Sequence, residues 1–181
     1  LFSLGSLEDA VIQIAGIKGT SDFELRKRGL IIMCADNGVV EEGVTQTGQE
    51  VTAIVAENFL KYDTSVGVMC KQNHAEIFPV DMGMVTDTKV RTDHKIAYGT
   101  QNMTKGPAMT REQAVKGLEA GIDMVRELND KGYRILATGE MGIGNTTTSS
   151  AVASVLLKQP VEEMTGRGAG LTNEGLVRKI N

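Results

Sequence analysis

Residues 133–150 read "YRILATGEMGIGNTTTSS", which places an apolar run, a glycine-rich turn and a polar helix start one after another. The apolar run at 133–138 is typical of a buried strand. Gly142 and Gly144 let the backbone fold tightly and approach a ligand, and the side chains of "NTTTSS" can cap a helix. The stretch therefore predicts a strand that passes through a tight turn into a helix.

Two further apolar runs, "GLIIMC" at 29–34 and "AEIFPV" at 75–80, predict two more buried strands. Helical patterns separate the three strands, and strands that alternate with helices pair in parallel through helical crossovers. We therefore predict an α/β fold with a Rossmann-like, three-layer arrangement of a parallel sheet and its helices. Residues 84–107 have no clear period, and their Thr, Asp, Lys and Gly content predicts a long loop.

The helical patterns also predict which faces are buried. In residues 50–60 the apolar side predicted to pack inward holds Val51, Ile54 and Val55. The capping box "TREQ" at 110–113 opens a second helix that continues through Leu128. Its buried face is predicted to hold Ala114, Leu118, Ile122 and Val125.

The composition argues against nucleic acid and membranes as partners. The net charge is -4, the sequence pI is about 5.3 and only 4% of residues are aromatic. A positive field and stacking surfaces for single-stranded nucleic acid are therefore not expected. No stretch approaches the roughly 20 apolar residues of a spanning helix. Cys34 and Cys70 lack CxxC spacing, which predicts no metal site, no disulfide framework and a reducing cytoplasm as the location.

An acid and a glycine follow each predicted strand at or near its end. Asp36, Asp81 and Glu140 are these acids. In open parallel sheets the ligand crevice lies outside the carboxyl ends of the strands, so the three carboxylates are predicted to line one rim of a binding site. Alternatively, each acid accepts hydrogen bonds from a neighbouring loop or helix start. The sequence leaves both interpretations open.

The turn before "NTTTSS" is predicted to bind an anion. A helix that starts near Asn145 and Thr146 presents unpaired N–H donors and a partial positive charge, which suits a phosphate. A second glycine-rich turn, "TGRGAGLT" at 165–172, precedes the helical "NEGLVRKI", so two helix starts are predicted to converge on one monophosphate. Lys179 either reaches toward this phosphate or is a solvated surface charge. The alternative for the first turn is an ordinary strand-to-helix connection.

Two common phosphate-binding motifs do not match this turn. The dinucleotide fingerprint requires a third glycine where Thr147 stands, which disfavours hydride transfer with a nicotinamide cofactor. A Walker A loop requires Gly-Lys-Ser/Thr before its helix, and Asn145 and Thr146 stand there instead. Hydrolysis of nucleoside triphosphates is therefore disfavoured as well.

Four ordered motifs resemble one known family, nicotinate-nucleotide:dimethylbenzimidazole phosphoribosyltransferase, and the resemblance covers essentially the whole chain. The motifs are "CADNGVVEEGVTQTGQEVTA" at 34–53, "GTQNMTKGPAMTREQA" at 99–114, "GEMGIGNTTTSSAV" at 139–152 and "GRGAGLTNEGLVRKI" at 166–180. The resemblance implies transfer of phosphoribose from nicotinate mononucleotide to 5,6-dimethylbenzimidazole in cobalamin lower-ligand synthesis, without a metal or other cofactor. It also implies a homodimer.

By the same resemblance, Glu140, Gly142 and Lys179 match positions at the nucleotide site, and Thr47 lies beside the bound base. The "GRGAG" turn, with Gly166 and Gly168, would complete the phosphate cradle. The family also implies a small helical domain. We therefore expect residues 1–25 to be a helical segment of that domain, and residues 26–181 to be a nucleotide-binding core that is incomplete at its carboxyl end.

The family's general base is a glutamate near the end of a chain nearly twice as long. No residue of these 181 matches it, so the resemblance places the catalytic base beyond Asn181. An acceptor azole must lose its N–H proton as it attacks the ribose, and a carboxylate would take that proton. We therefore expect an amino-terminal portion that is inactive alone, with apolar faces left uncovered. The alternative from another class is a non-catalytic module that binds a phosphate ligand.

Overall fold

Three parallel strands form the sheet of this protein, as seen in a computed structural model that describes residues 3–181. They are β1 (Arg28–Ala35), β2 (Ala75–Gly83) and β3 (Ile135–Met141), in the spatial order β2–β1–β3. All three predicted strands are present. β3 begins later than predicted because the amides of residues 133 and 134 bond to Leu128 and Lys27 instead of joining the ladder.

Seven α-helices accompany the sheet in the described part of the chain. They are α1 (Ser6–Lys18), α2 (Glu50–Lys61), α3 (Ser65–Gln72), α4 (Arg111–Asp130), α5 (Asn145–Leu157), α6 (Val161–Met164) and α7 (Asn173–Ile180). A 3-10 helix follows β1 at Gly38–Glu42. Residues 84–107 hold no helix and only one isolated bridge, which confirms the long loop. Among the described helices, none combines the length and apolar character that crossing a membrane requires.

The core lies on both faces of β1, which confirms the three-layer arrangement. Leu30, Ile32 and Cys34 pack with residues of α2 and α3, whereas Ile31 and Met33 pack with residues of α4. Successive side chains of a strand point to opposite faces, and a central parallel strand is covered on both, so "LIIMC" is apolar throughout.

The buried faces of two helices differ from the prediction. α2 buries Thr52, Ala53, Ala56 and Phe59, whereas Ile54 is 57% exposed. α4 begins with the predicted capping box but buries Ala120, Met124 and Leu128, whereas Leu118 is 72% exposed. In both helices small residues lie in the face against the sheet, where they let the helix approach closely. The predicted face of α4 was therefore wrong, and that of α2 was wrong for Ile54, whereas Val55 packs against the core as predicted.

Apolar surface stays exposed at α1 and α5. None of the residues of α1 is buried. α5 begins with polar residues, and its second half leaves large apolar side chains in solvent, namely Val152, Val155, Leu156 and Leu157. Contiguous exposed apolar side chains are typical of a surface that another element or chain covers. The expected uncovered faces are therefore present. The division at residue 25 stays a prediction, and its positions 1 and 2 lie outside the described residues.

Besides backbone hydrogen bonds to β2 and an exposed ion pair of Lys105 with Glu41, two ion pairs fasten the long loop to the rest of the protein, one at an inner and one at an outer point. At the inner point the Lys95 ammonium lies 3.1 Å from the Asp81 carboxylate, which is fully buried. At the outer point the Arg91 guanidinium lies 2.6 Å from the Glu127 carboxylate of α4, and both side chains are partly exposed. Hydrogen bonds from Arg91, and then from Lys131, lower the pKa of Glu127 from 4.5 to about 2.

Low pH is expected to break the ion pair between Arg91 and Glu127. A carboxyl group with a lowered pKa contributes stability above its ordinary pKa of 4.5, and that contribution disappears as the pH falls toward 2. Glu127→Gln should therefore lower the free energy of unfolding by up to about 1 kcal/mol at pH 7, a small value because the pair is partly solvated. Most of this difference should be lost by pH 2, as the pH passes through the lowered pKa of Glu127, when unfolding is followed in urea. A constant difference across this range would contradict the assignment.

Candidate functional site

The turn between β3 and α5 is a type II β-turn. The Asn145 N–H donates to the Gly142 carbonyl at 3.0 Å, and Gly144 has φ +90° and ψ -6° at the third position. This conformation requires a positive φ, which glycine adopts without strain. α5 then begins at Asn145 with Gly144 as its N-cap, and no side chain caps the helix. The predicted capping by "NTTTSS" is wrong, because the N-cap position is held by Gly144, which has no side chain.

Two backbone donors of this turn stay uncommitted. The amides of Asn145 and Thr147 donate to the carbonyls of Gly142 and Gly144, at 3.0 Å in both cases. Within residues 3–181, the amides of Gly144 and Thr146 have no hydrogen-bond acceptor. Free amides at the start of a helix carry a partial positive charge and suit an anionic oxygen. The turn therefore retains the donors that an anion site needs.

Lys179, near the end of α7, joins the two glycine-rich turns. Its ammonium donates to the Thr146 hydroxyl oxygen at 2.8 Å and to the Gly166 carbonyl at 3.0 Å. The residue is 8% exposed, and it has no carboxylate partner among the residues that the structure describes. Burial lowers the pKa of the Lys179 ammonium. The interpretation as a solvated surface charge is therefore wrong.

The Thr146 hydroxyl becomes a third donor through this contact. Because its oxygen accepts a hydrogen bond from Lys179, its own proton is directed elsewhere, and the residue is exposed at the mouth of the turn. Gly168 makes the contact possible: it has φ +58°, and a Cβ there would lie 2.7 Å from the Thr146 hydroxyl oxygen. The second turn therefore supports the first by leaving room for Thr146 and Lys179.

Alanine at Gly168 is expected to displace the Lys179–Thr146 pair. The added Cβ would clash with Thr146, and alanine is strained at a positive φ, so Gly168→Ala should weaken phosphate binding about tenfold or more. Gly166→Ala is the matched control, because a Cβ there meets no atom within 4 Å. Calorimetric titration with inorganic phosphate compares the two. Equal affinities for both variants would show that the pair does not depend on this space.

A cavity of about 160 Å³ lies beside the first turn, and we call it the turn cavity. It has room for several water molecules and hence for a phosphate group. Of the predicted site residues, it brings together Gly142, Gly144, Asn145, Thr146 and Thr47. The side chain of Gln46 donates to the Gly170 carbonyl and so closes the cavity against the second turn.

Arg167 also lines the turn cavity. The sequence pointed to the "GRGAG" turn, with Gly166 and Gly168, but not to the arginine between them. Its guanidinium donates to the Leu171 carbonyl at 2.8 Å, and it forms no ion pair with any carboxylate of the described chain. The available signal was a basic residue between two glycines in "GRGAG". At the start of α7 the Thr172 side chain accepts from the Gly175 amide, and no residue of α7 lines the turn cavity. The predicted convergence of two helix starts on one monophosphate stays a prediction.

The structure does not bring Asp36 and Asp81 to the turn cavity. Both are fully buried beneath the start of the long loop. Asp81 accepts from the amides of Gly83 and Met84 at 2.9 and 2.8 Å, and Asp36 accepts from the Val85 amide at 2.8 Å. These contacts match the alternative interpretation, in which each acid binds a neighbouring loop.

Glu140 is the third acid, and it is exposed on the edge strand. It pairs in register with Met33, whose side chain faces α4, and residues paired in register point to the same face of a sheet. The turn cavity lies next to Met141, the neighbour that points the other way. Glu140 is therefore close to the turn in sequence, but its side chain does not line the cavity.

A sequence model of one protein family, described as Phosphoribosyltransferase, matches residues 1–181. The chain belongs to the phosphoribosyltransferase family. Relatives in this family include proteins named nicotinate-nucleotide--dimethylbenzimidazole phosphoribosyltransferase. The one from Ruminiclostridium cellulolyticum is 51% identical over 182 residues, which cover 99% of this chain and 52% of the relative. The one from Clostridium tetani is 48% identical over 179 residues, which cover 98% of this chain and 49% of the relative.

Solved structures of this phosphoribosyltransferase family have the same fold. CobT from Thermus thermophilus superposes with a TM-score of 0.92 at 37% identity, covering 99% of this chain and 55% of that one. A second structure, of the nicotinate-nucleotide-dimethylbenzimidazole phosphoribosyltransferase from the same organism, superposes with a TM-score of 0.88 at 36% identity. The chain spans about half the length of the phosphoribosyltransferases that it matches. The catalytic base that the resemblance places beyond Asn181 therefore stays a prediction.

Proposed function

We propose that these residues hold nicotinate mononucleotide as the donor in phosphoribosyl transfer to 5,6-dimethylbenzimidazole, a step of cobalamin lower-ligand synthesis. The observation that carries the proposal is the buried, unpaired ammonium of Lys179 between two glycine-rich turns. A buried lysine is rarely left without an anionic partner. We propose that the phosphate of a nucleotide bound beside Thr146, which joins Lys179 to the turn cavity, supplies that partner. The names of the relatives point to this nucleotide.

The proposed reaction depends on holding the ribose and the acceptor in position more than on activating the nicotinate leaving group. The bond between the ribose carbon and the pyridinium nitrogen breaks, and its electron pair returns to the nitrogen, so nicotinate leaves with an uncharged ring. The ribose carbon gains positive character, and a ring nitrogen of dimethylbenzimidazole forms the new bond to give α-ribazole 5′-phosphate. Holding the phosphate fixes the reacting carbon in line with the acceptor. These bond changes balance without a cofactor.

The residues that we propose for the donor site are of two kinds. Gly144 and Thr146 line the turn cavity and can contact the phosphate directly, with Arg167 beside them. Lys179 lines a neighbouring cavity, and we propose that it acts on the phosphate through its hydrogen bond to Thr146. The remaining proposed residues support the two turns or line the cavity, and they are Gly142, Asn145, Gly166, Gly168 and Thr47. Glu140 is proposed from the family resemblance alone, as a carboxylate that stabilises the electron-poor ribose.

The acceptor loses a ring N–H proton during the transfer, and this step requires a base. We propose that a glutamate beyond Asn181 supplies it, from the region that the relatives have and these 181 residues do not span. Turnover is therefore proposed for the longer protein, and donor binding for these residues. An assay for nicotinate release with dimethylbenzimidazole tests the division. Release by the 181 residues that depends on Glu140 would contradict it.

Calorimetric titration of the 181 residues tests donor binding. Nicotinate mononucleotide should bind, and nicotinate riboside, which lacks only the phosphate, should bind about a hundredfold more weakly, because it leaves Lys179 without its anion. Equal affinities for nucleotide and nucleoside would overturn the phosphate site. Binding by a longer chain that shows no turnover would favour the alternative, a module that binds a phosphate ligand without catalysis.

Two further proposals concern the oligomeric state of the protein and its location in the cell. We propose a homodimer, from the family resemblance and from the exposed apolar side chains of α1 and α5. We propose the cytoplasm as the location, because both cysteines, Cys34 and Cys70, are free and buried. Sedimentation of the purified protein tests the first of these proposals, and a monomer at working concentration would contradict it.

A further inference from the structure

We infer that Asn37 is a positioning residue that sets the direction of the Gly144 amide, and that Thr52 holds the preceding peptide in place. The inference rests on the proposed phosphate site. Neither residue lines the turn cavity, and neither has been assigned a role above. Asn37 follows β1, whereas Thr52 lies in the first turn of α2, so both act on the turn from outside it.

The peptide between Ile143 and Gly144 is held by its carbonyl. The Asn37 side-chain amide donates to the Ile143 carbonyl oxygen at 3.1 Å. A trans peptide is planar, so its C=O and its N–H point in opposite directions. With the Ile143 carbonyl directed toward Asn37, the Gly144 N–H must be directed away from it. Gly144 lines the turn cavity, so this orientation presents a free donor on the cavity side.

The peptide before it is held by its amide. The Thr52 hydroxyl oxygen, which is fully buried, accepts from the Ile143 N–H at 3.0 Å. Ile143 is therefore fixed on both sides, by α2 at its N–H and by the end of β1 at its carbonyl. Type I and type II turns differ by rotation of the central peptide, which here is the peptide between Ile143 and Gly144. The two side chains select the type II form.

Asn37 is itself fixed by its neighbours. Its side-chain oxygen lies 3.3 Å from the Thr148 hydroxyl, whose one proton is shared between this oxygen and the Asn145 carbonyl at 3.0 Å. Its backbone carbonyl accepts from the Gln49 side chain at 3.0 Å. The amide group of Asn37 cannot turn over without losing the contact with Thr148 and facing its own oxygen toward the Ile143 carbonyl. The donor that orients the turn is therefore preorganised before a ligand arrives.

The Thr52 variants test this inference without changing any charge. Thr52→Val keeps the shape and removes the acceptor, and it should weaken binding of nicotinate mononucleotide about tenfold, whereas Thr52→Ser restores the acceptor and should bind within about twofold of the wild type. Ser154→Ala is the matched control, because it removes a buried hydroxyl of α5 that has no partner in the described chain. Its affinity should be that of the wild type.

Asn37→Leu gives the second, spectroscopic readout. In the wild type, sodium phosphate should shift the Gly144 amide resonance in a ¹H–¹⁵N spectrum, and in Asn37→Leu this shift should be lost. Suppose that the wild type binds nicotinate mononucleotide, that Thr52→Val binds it equally well, and that phosphate still shifts the Gly144 resonance in Asn37→Leu. This inference then fails, and the proposed function stands. If the wild type does not bind the nucleotide at all, the proposed function fails and this inference fails with it.

Discussion

Lys179→Met is expected to weaken the binding of nicotinate mononucleotide about a hundredfold while leaving the protein as stable as before, or more stable. Methionine has a similar length and no charge. It therefore removes the cation that we propose balances the charge of the phosphate, together with the donor that directs the Thr146 hydroxyl. It also removes a buried charge without an acidic partner, whose burial disfavours the folded state in the absence of ligand.

The measurement pairs calorimetric titration with thermal unfolding of the unliganded protein. Lys116→Met is the control, because Lys116 is a solvated lysine of α4 in a surface pair with Glu112, and its loss should change neither property appreciably. A Lys179→Met variant that melts well below the wild type would mean that the ammonium serves the fold instead of a ligand. Unchanged nucleotide affinity would be equally damaging to the proposal.

The pH dependence of Lys179 has a defined sign. Burial lowers its pKa below the ordinary value of 10.5, so above that lowered pKa the unfolded chain holds more protons at this position than the folded protein does. The contribution of Lys179 to the free energy of unfolding therefore rises with pH across this range, up to about pH 10.5. Affinity for phosphate should fall over the same range as the cation is lost. Both trends should be missing from Lys179→Met.

Gly142→Ala is expected to lower the free energy of unfolding by at least about 3 kcal/mol, and so to remove much of the stability of an ordinary domain. A Cβ at this position would lie 2.2 Å from the Ala35 carbonyl oxygen, far inside contact distance. That oxygen belongs to the backbone of β1, so it cannot rotate away as a side chain would. The end of β3 would have to separate from β1, and the turn would move with it.

Gly139→Ala is the matched control three residues earlier in β3. The nearest atom to a Cβ there is a side-chain carbon of Ile32 at 3.8 Å, an ordinary contact, and Gly139 does not have a positive φ. Alanine should therefore change stability by no more than about 1 kcal/mol, because it also restricts the unfolded chain. Urea unfolding followed by circular dichroism compares the two variants. Similar midpoints would show that β1 and β3 can separate locally at little cost.

The sequence was sufficient for the layers of the fold and for the location of the site. Three apolar runs between helical patterns predicted the parallel sheet, and the "TREQ" capping box marked the start of α4 correctly. The glycine-rich turn before α5 was predicted from residue types alone, and the structure leaves two of its amides free, whereas anion binding stays a prediction. These features depend on local pattern, which a single sequence displays directly.

Features that depend on distant contacts could not be predicted. Gly142 was expected to let a ligand approach, whereas the structure shows that it lets β1 approach. Lys179 was left open between two roles, because its burial depends on the second turn, thirteen residues earlier, and on Thr146. The acids Asp36 and Asp81 follow their strands as expected, but the long loop covers them, and nothing in the local sequence shows the path of that loop.

Two ion pairs that fasten the long loop, Arg91 with Glu127 and Lys95 with Asp81, differ in how they respond to dissolved salt. Mobile ions screen the contact between Arg91 and Glu127, whose side chains are 35% and 27% exposed. They have little access to Asp81, which is fully buried against Lys95. Rising ionic strength should therefore release the loop from α4 while it remains attached to the sheet, so the segment detaches in a fixed order from the outside inward.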